Sequence, residues 1–159
     1  MATNNAINRG KELSIVRTSA SGAYYQTGDG TLVKIAFDNI IVGEGSNYDA
    51  INYQYTINNP GPYFINVKIS QRYGQLSSHD KSQVFIYKNG IQAYEVLHSH
   101  STNILISSDT NFIFTGNMIA PFVNGDILSF YFQVSGGTKN VGIGGVEPYR
   151  TTVAVFKVF

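Results

Sequence analysis

The sequence predicts an all-β fold, an antiparallel β-sandwich of about ten short strands, and three observations carry that expectation. Apolar residues alternate with polar ones in short runs, clusters of Gly, Asn, Ser and Asp separate those runs, and no window keeps the 3.6-residue period of a helix. A barrel satisfies the same pattern; a sandwich with Greek-key crossings is a jelly roll. The 159 residues make one domain, long enough to bury about 70% of its unfolded surface. The 11 Tyr and 10 Phe supply the large apolar areas that suit sheet packing.

Strands are expected over 13–19, 32–42, 53–57, 63–71, 82–88, 91–98, 111–120, 127–134 and 151–159. Alternation gives each strand two faces. Tyr63, Ile65, Val67 and Ile69 share one side and should be core, leaving Phe64, Asn66 and Lys68 on the other. Leu128, Phe130, Phe132 and Val134 face together in the same way, opposite Ser129, Tyr131 and Gln133. Asn89-Gly90 is the strongest turn signal, because both central residues of a type I′ hairpin need positive φ. Gly136, Gly137, Gly142, Gly144 and Gly145 crowd the stretch before the last strand, which reads as a long mobile loop. Residues 1–12 are polar and form a separate tail, so the domain proper covers 13–159.

Composition removes several functions. Eleven basic residues stand against ten acidic ones with no basic run, so there is no electrostatic footprint for nucleic acid. Without cysteine there are neither disulfides nor thiolate metal sites. The first residues lack the apolar core of a secretion signal, and no apolar run is long enough to span a membrane. Asn-x-Ser/Thr does not occur, which argues against a glycosylated surface protein of a eukaryote.

From Phe37 onward the spacing becomes specific: Phe37-Asp38, Tyr48-Asp49 eleven residues on, Tyr55-Thr56 seven later, then Gly61-x-Tyr63-x-Ile65. Val84 to Gly90 (VFIYKNG) and Gly125-Asp126-x-Leu128 follow. This resembles the globular head of complement component q and its tumour-necrosis-factor-like relatives, over a span from about Leu32 to the C-terminus. Three positions depart from that pattern: Gly43 stands for an Asn, Tyr53 for a Gly and Asn58 for a Pro. The resemblance implies a jelly roll and a tight homotrimer. Phe64, Asn66, Lys68, Val153, Val155 and Phe159 are the expected contact residues, since apolar groups on a solvent face want a partner. The opening Met-Ala-Thr-Asn-Asn-Ala-Ile-Asn is similar to the start of phage tail-fibre and other virion proteins, with Asn4, Asn5 and Ile7 as the expected particle anchor.

The residues that could carry chemistry are few and scattered. His98-x-His100 places two imidazoles on one strand face, a geometry that can grip a transition metal with His79-Asp80 as a third ligand, but two polar residues at a Ser-rich loop entrance are the simpler reading. Asp29, Asp38, Asp49, Asp109 and Asp126 lack the regular spacing of a calcium loop. There is no Gly-x-Ser-x-Gly, no thiol and no paired carboxylates. The expectation is a non-enzymatic homotrimeric virion protein without cofactor or metal, a capsid knob or a fibre head. The alternative is the receptor- or carbohydrate-binding recognition head of a secreted or surface complement-q-like protein, using loops around 43–47, 99–109 and 136–145, with Gly136, Lys139, Asn140 and Gly144 as partner contacts.

Overall fold

The computed structural model describes residues 16–19, 22–42, 47–73, 77–106, 111–144 and 150–158. Among them eleven strands follow in chain order: β1 (Val16–Ser19), β2 (Ala23–Lys34), β3 (Asn39–Val42), β4 (Tyr48–Asp49), β5 (Gln54–Thr56), β6 (Gly61–Tyr73), β7 (Ser77–Lys88), β8 (Ile91–Ile106), β9 (Asn111–Phe122), β10 (Ile127–Ile143) and β11 (Thr152–Lys157). Hydrogen bonds join them into one antiparallel sheet that curls over into two layers. One layer is β3–β1–β11–β6–β9. The other is β8–β7–β10, with β2 and β5 also on β10. The layers are continuous where Val141, Gly142 and Ile143 of β10 pair with Tyr73, Arg72 and Gln71 of β6. The first strand thus lies beside the last, and the non-sequential pairings are Greek-key crossings. The expected jelly roll is borne out.

The alternation fixes which side chains fill the space between layers. Tyr63, Ile65, Val67 and Ile69 are fully buried, as are Leu128, Phe130, Phe132 and Val134. Their aromatic members pack edge to face: Phe37 on Phe130, Tyr55 on Tyr63, Tyr63 on Phe122 and Tyr25 on Phe132, with centroids 5.5–6.5 Å apart. Tyr48 is buried as well, and its hydroxyl donates to the Phe37 carbonyl at 2.6 Å. At the β8–β9 edge the layers approach so closely that a Cβ on Gly116 would stand 2.1 Å from the Val96 carbonyl oxygen.

One end of the sandwich is tied by a polar knot. Asn89 and Gly90 both take positive φ, 53° and 81°, as a type I′ hairpin requires. The Asn89 side chain donates to Asp126 Oδ1 at 2.9 Å and accepts the Ile127 N–H at 2.8 Å. Asp126 is buried, and its Oδ2 accepts the Val123 N–H at 2.9 Å while Lys88 Nζ lies 3.7 Å away. The Val123 N–H, more than any other group, holds this carboxyl below its ordinary pKa; the Asn89 amide and Lys88 act in the same direction.

Two expectations are corrected. The stretch 32–42 is not one strand: β2 ends at Lys34, the chain turns through buried Ile35 and Phe37, and β3 starts at Asn39. The turn is set by Ile35 N–H donating to Phe130 O at 2.9 Å and Phe37 N–H to Ile35 O at 3.1 Å. Nor are the described residues of the glycine-rich stretch a loop; Gly145 lies outside the described residues. Residues up to Ile143 continue β10 and pair with β2, and the positive φ of Gly136 and Gly137, 109° and 92°, makes a bulge in that pairing.

Candidate functional site

The outward face of the first layer is read from its register. Directly opposed residues share a face, so four cross-strand rows stand outward: Pro62–Pro121, then Phe156–Phe64–Ile119, then Ala154–Asn66–Asn117, then Thr152–Lys68–Thr115. Phe64 and Phe156 are half-buried with ring centroids 5.0 Å apart, and Ile119 is 61% exposed. The face is apolar toward the end where Lys157 meets Tyr63, and polar beyond Asn66.

The expected contact residues divide accordingly. Phe64, Asn66 and Lys68 do lie on this face. Val153 and Val155 do not: each is 2% exposed, because Val155 opposes Ile65 and Val153 opposes Val67, whose side chains fill the core. The register gives their place to Ala154 and Phe156. Phe159, Asn4, Asn5 and Ile7 lie outside the described residues.

The expected partner loop also changes character. Lys139 is buried, its Nζ 3.3–3.4 Å from the Gly136 and Ser135 carbonyl oxygens. Burial pushes its pKa down, against the pull of the Asp80 carboxylate. Gly144 is held by its N–H on the Ser70 carbonyl at 2.9 Å, and its own carbonyl accepts the Thr151 N–H at 2.7 Å. Gly136 is half-buried in the bulge; Asn140 is exposed but paired with Gln26. Of the four, Asn140 is the one that stands exposed.

The outward face of the second layer holds a cluster that no sequence motif marks. Three rows cross β10, β7 and β8: Ser129–Tyr87–Gln92, Tyr131–Phe85–Glu95 and Gln133–Gln83–His98. Tyr87 and Tyr131, diagonal neighbours and half-buried, have ring centroids 4.4 Å apart with planes at 42°. Glu95 Oε1 accepts from Gln83 Nε2 at 2.9 Å and lies 2.7 Å from His98 Nδ1. Gln83 is 7% exposed, and its own Oε1 is buried with no hydrogen-bond partner among the described residues. Such an orphan acceptor costs roughly 1–3 kcal/mol. The signal was present in the alternation of Gln83, Phe85 and Tyr87, but the bulge at Val84/Phe85 hides that Glu95 and His98 share their face. Among the described residues no three His, Asp or Glu side chains come together as metal ligands.

No protein-family model matches the chain, and no curated protein matches its sequence. Solved structures do match in shape. The globular domain of zebrafish complement 1qA superposes with a TM-score of 0.57 at 11% identity, covering 92% of this chain and 98% of that one. Eiger TNF from S. frugiperda gives 0.60 at 12%, covering 93% and 94%. Murine APRIL gives 0.59 at 11%, covering 92% and 99%. The fold is therefore the jelly roll of complement-q and TNF domains. Among the described residues no helix is long and apolar enough to cross a membrane.

Proposed function

We propose that the chain is a non-enzymatic head domain that works as a homotrimer, each copy applying the outward face of β11–β6–β9 to its neighbours, and that it serves as a structural part of a virion, as a capsid knob or a fibre head. The observation that carries the trimer is the Phe156–Phe64–Ile119 row beside Pro62 and Pro121. Two phenylalanines and a 61% exposed isoleucine in register on a sheet face make an unpartnered apolar patch, and burial against a second copy removes it from water. The resemblance to complement-q heads supports the same assembly. The virion placement rests on the opening octapeptide.

Phe64→Asp and Ile119→Asp should each lower the mass measured by light scattering while leaving the β-type circular dichroism unchanged. Ile51→Asp, at an 86% exposed site away from this face, should not. A full-mass assembly in both face variants would remove β11–β6–β9 from the contact. For the virion placement, deleting residues 2–10 should leave a trimer that no longer binds undecorated particles; equal binding by the shortened chain would move attachment to the jelly roll itself.

A further inference from the structure

We propose that the outward face of β10–β7–β8 is a carbohydrate site that binds a pyranose through its C–H face and a pair of adjacent hydroxyls. A sugar ring needs two things on one surface: an aromatic plane for its apolar face and fixed acceptors and donors at its edge. Tyr87 and Tyr131 supply the first, in ring contact at 4.4 Å. Gln92, which opposes Tyr87, and Glu95, which opposes Phe85 beside it, supply the second. Both bonds to the Glu95 carboxylate fall on Oε1, and among the described residues none falls on Oε2, which is left as a charged acceptor for a hydroxyl.

Gln83 shows that the carboxylate is held on purpose. It stands in the face itself, buried between Gln133 and His98, donates its amide N–H to Glu95 and leaves its carbonyl oxygen without a partner among the described residues. An apolar side chain at that position would remove the orphan and pack the sheet better, so the arrangement favours the position of Glu95 over stability. Gln83 is thus a positioning residue. The chemistry of the face also selects its ligand. Around the two tyrosines the Glu95 carboxylate is met by Lys34, which opposes Tyr131 and spends its Nζ on the Asn52 carbonyl at 2.7 Å, and by Lys81, which opposes Ser135 at the far end; with charges of both signs and side-chain amides between them, the face suits a neutral polyol rather than a polyanion.

This deepens the proposed function, on which only its multivalency rests. The face lies on the layer opposite β11–β6–β9, so in the trimer three copies look outward and bind a repeating polysaccharide together.

The test is saturation-transfer NMR on the purified full chain with millimolar methyl α- and β-glycosides of glucose, galactose and mannose. Transfer to at least one glycoside is expected, with Tyr87→Ala and Glu95→Gln each weakening binding tenfold or more. Gln83→Leu should lose binding to the same extent while its thermal midpoint stays equal or rises; a lowered midpoint with binding kept would make Gln83 merely structural and overturn the positioning role. No transfer from any of the six, or transfer that persists in Tyr87→Ala, overturns the site. The readout is per protomer: a monomer that shows the transfer keeps the sugar site and sinks the trimer, and a trimer without transfer does the reverse.

Discussion

At the scale of single residues, the backbone records which positions carry strain. Tyr53 has φ of 53°, a left-handed conformation that costs a side-chain-bearing residue about 1–2 kcal/mol. The complement-q pattern has glycine at that position, and the geometry explains why. Tyr53→Gly should raise the thermal midpoint, by up to about 1 kcal/mol of stability after the flexibility that glycine adds to the unfolded chain; a fall would mean that Tyr53 packing outweighs its strain. Asp126 sets an acid limit. Its pKa is lowered in the fold, so its contribution is complete above the unfolded value of about 3.9 and is lost as pH falls through the lower folded value. Exposed Asp29 and Asp49, lowered by hydrogen bonds from Thr31 and Asn52, add to the same slope. Asp126→Asn should therefore cost about 1–3 kcal/mol at neutral pH and flatten, without abolishing, the fall in thermal midpoint between pH 4 and pH 2. An unchanged acid slope would exclude Asp126 as its source.

At the scale of elements, what could be read from the sequence was what a single strand decides by itself. The cores of β6 and β10 and the Asn89-Gly90 hairpin were legible because alternation and turn chemistry are local. Three features were not, and each depends on a partner strand. β2 carries Gly28 and Gly30 at positive φ, which interrupt its alternation and read as punctuation until β10 pairs beside it. The glycines of 136–144 read as a loop for the same reason. In β11, Val153 and Val155 alternate with Ala154 and Phe156, so either set could face inward; the register with Ile65 and Val67 chooses the valines. Of the candidate site, Phe64, Asn66 and Lys68 were legible from β6, whereas the Tyr87–Glu95 cluster needs three strands and a bulge to assemble. The closeness of β8 and β9 is likewise invisible in either strand. Gly116→Ala should destabilise by roughly 1–3 kcal/mol, because the new methyl meets backbone rather than a side chain that can move aside. A thermal midpoint equal to that of the parent would mean that the two layers separate at this edge without cost.

At the scale of the whole molecule, the jelly roll presents two outward faces of different chemistry on opposite layers. The first is apolar at one end through Phe64, Phe156, Ile119 and the two prolines, and grades into Asn66, Asn117 and Lys68. An assembly on this face would bury its apolar end most completely, leaving the polar rows to set register between copies. The second is polar and aromatic and stays outward in that assembly. The state of association decides whether the first face is a contact, and the most direct measurement is the mass by multi-angle light scattering of the unmodified chain over a dilution series down to submicromolar concentration. A mass of three times 17.5 kDa, constant through the series, is the predicted result; a particle of 17.5 kDa at micromolar concentration would contradict it.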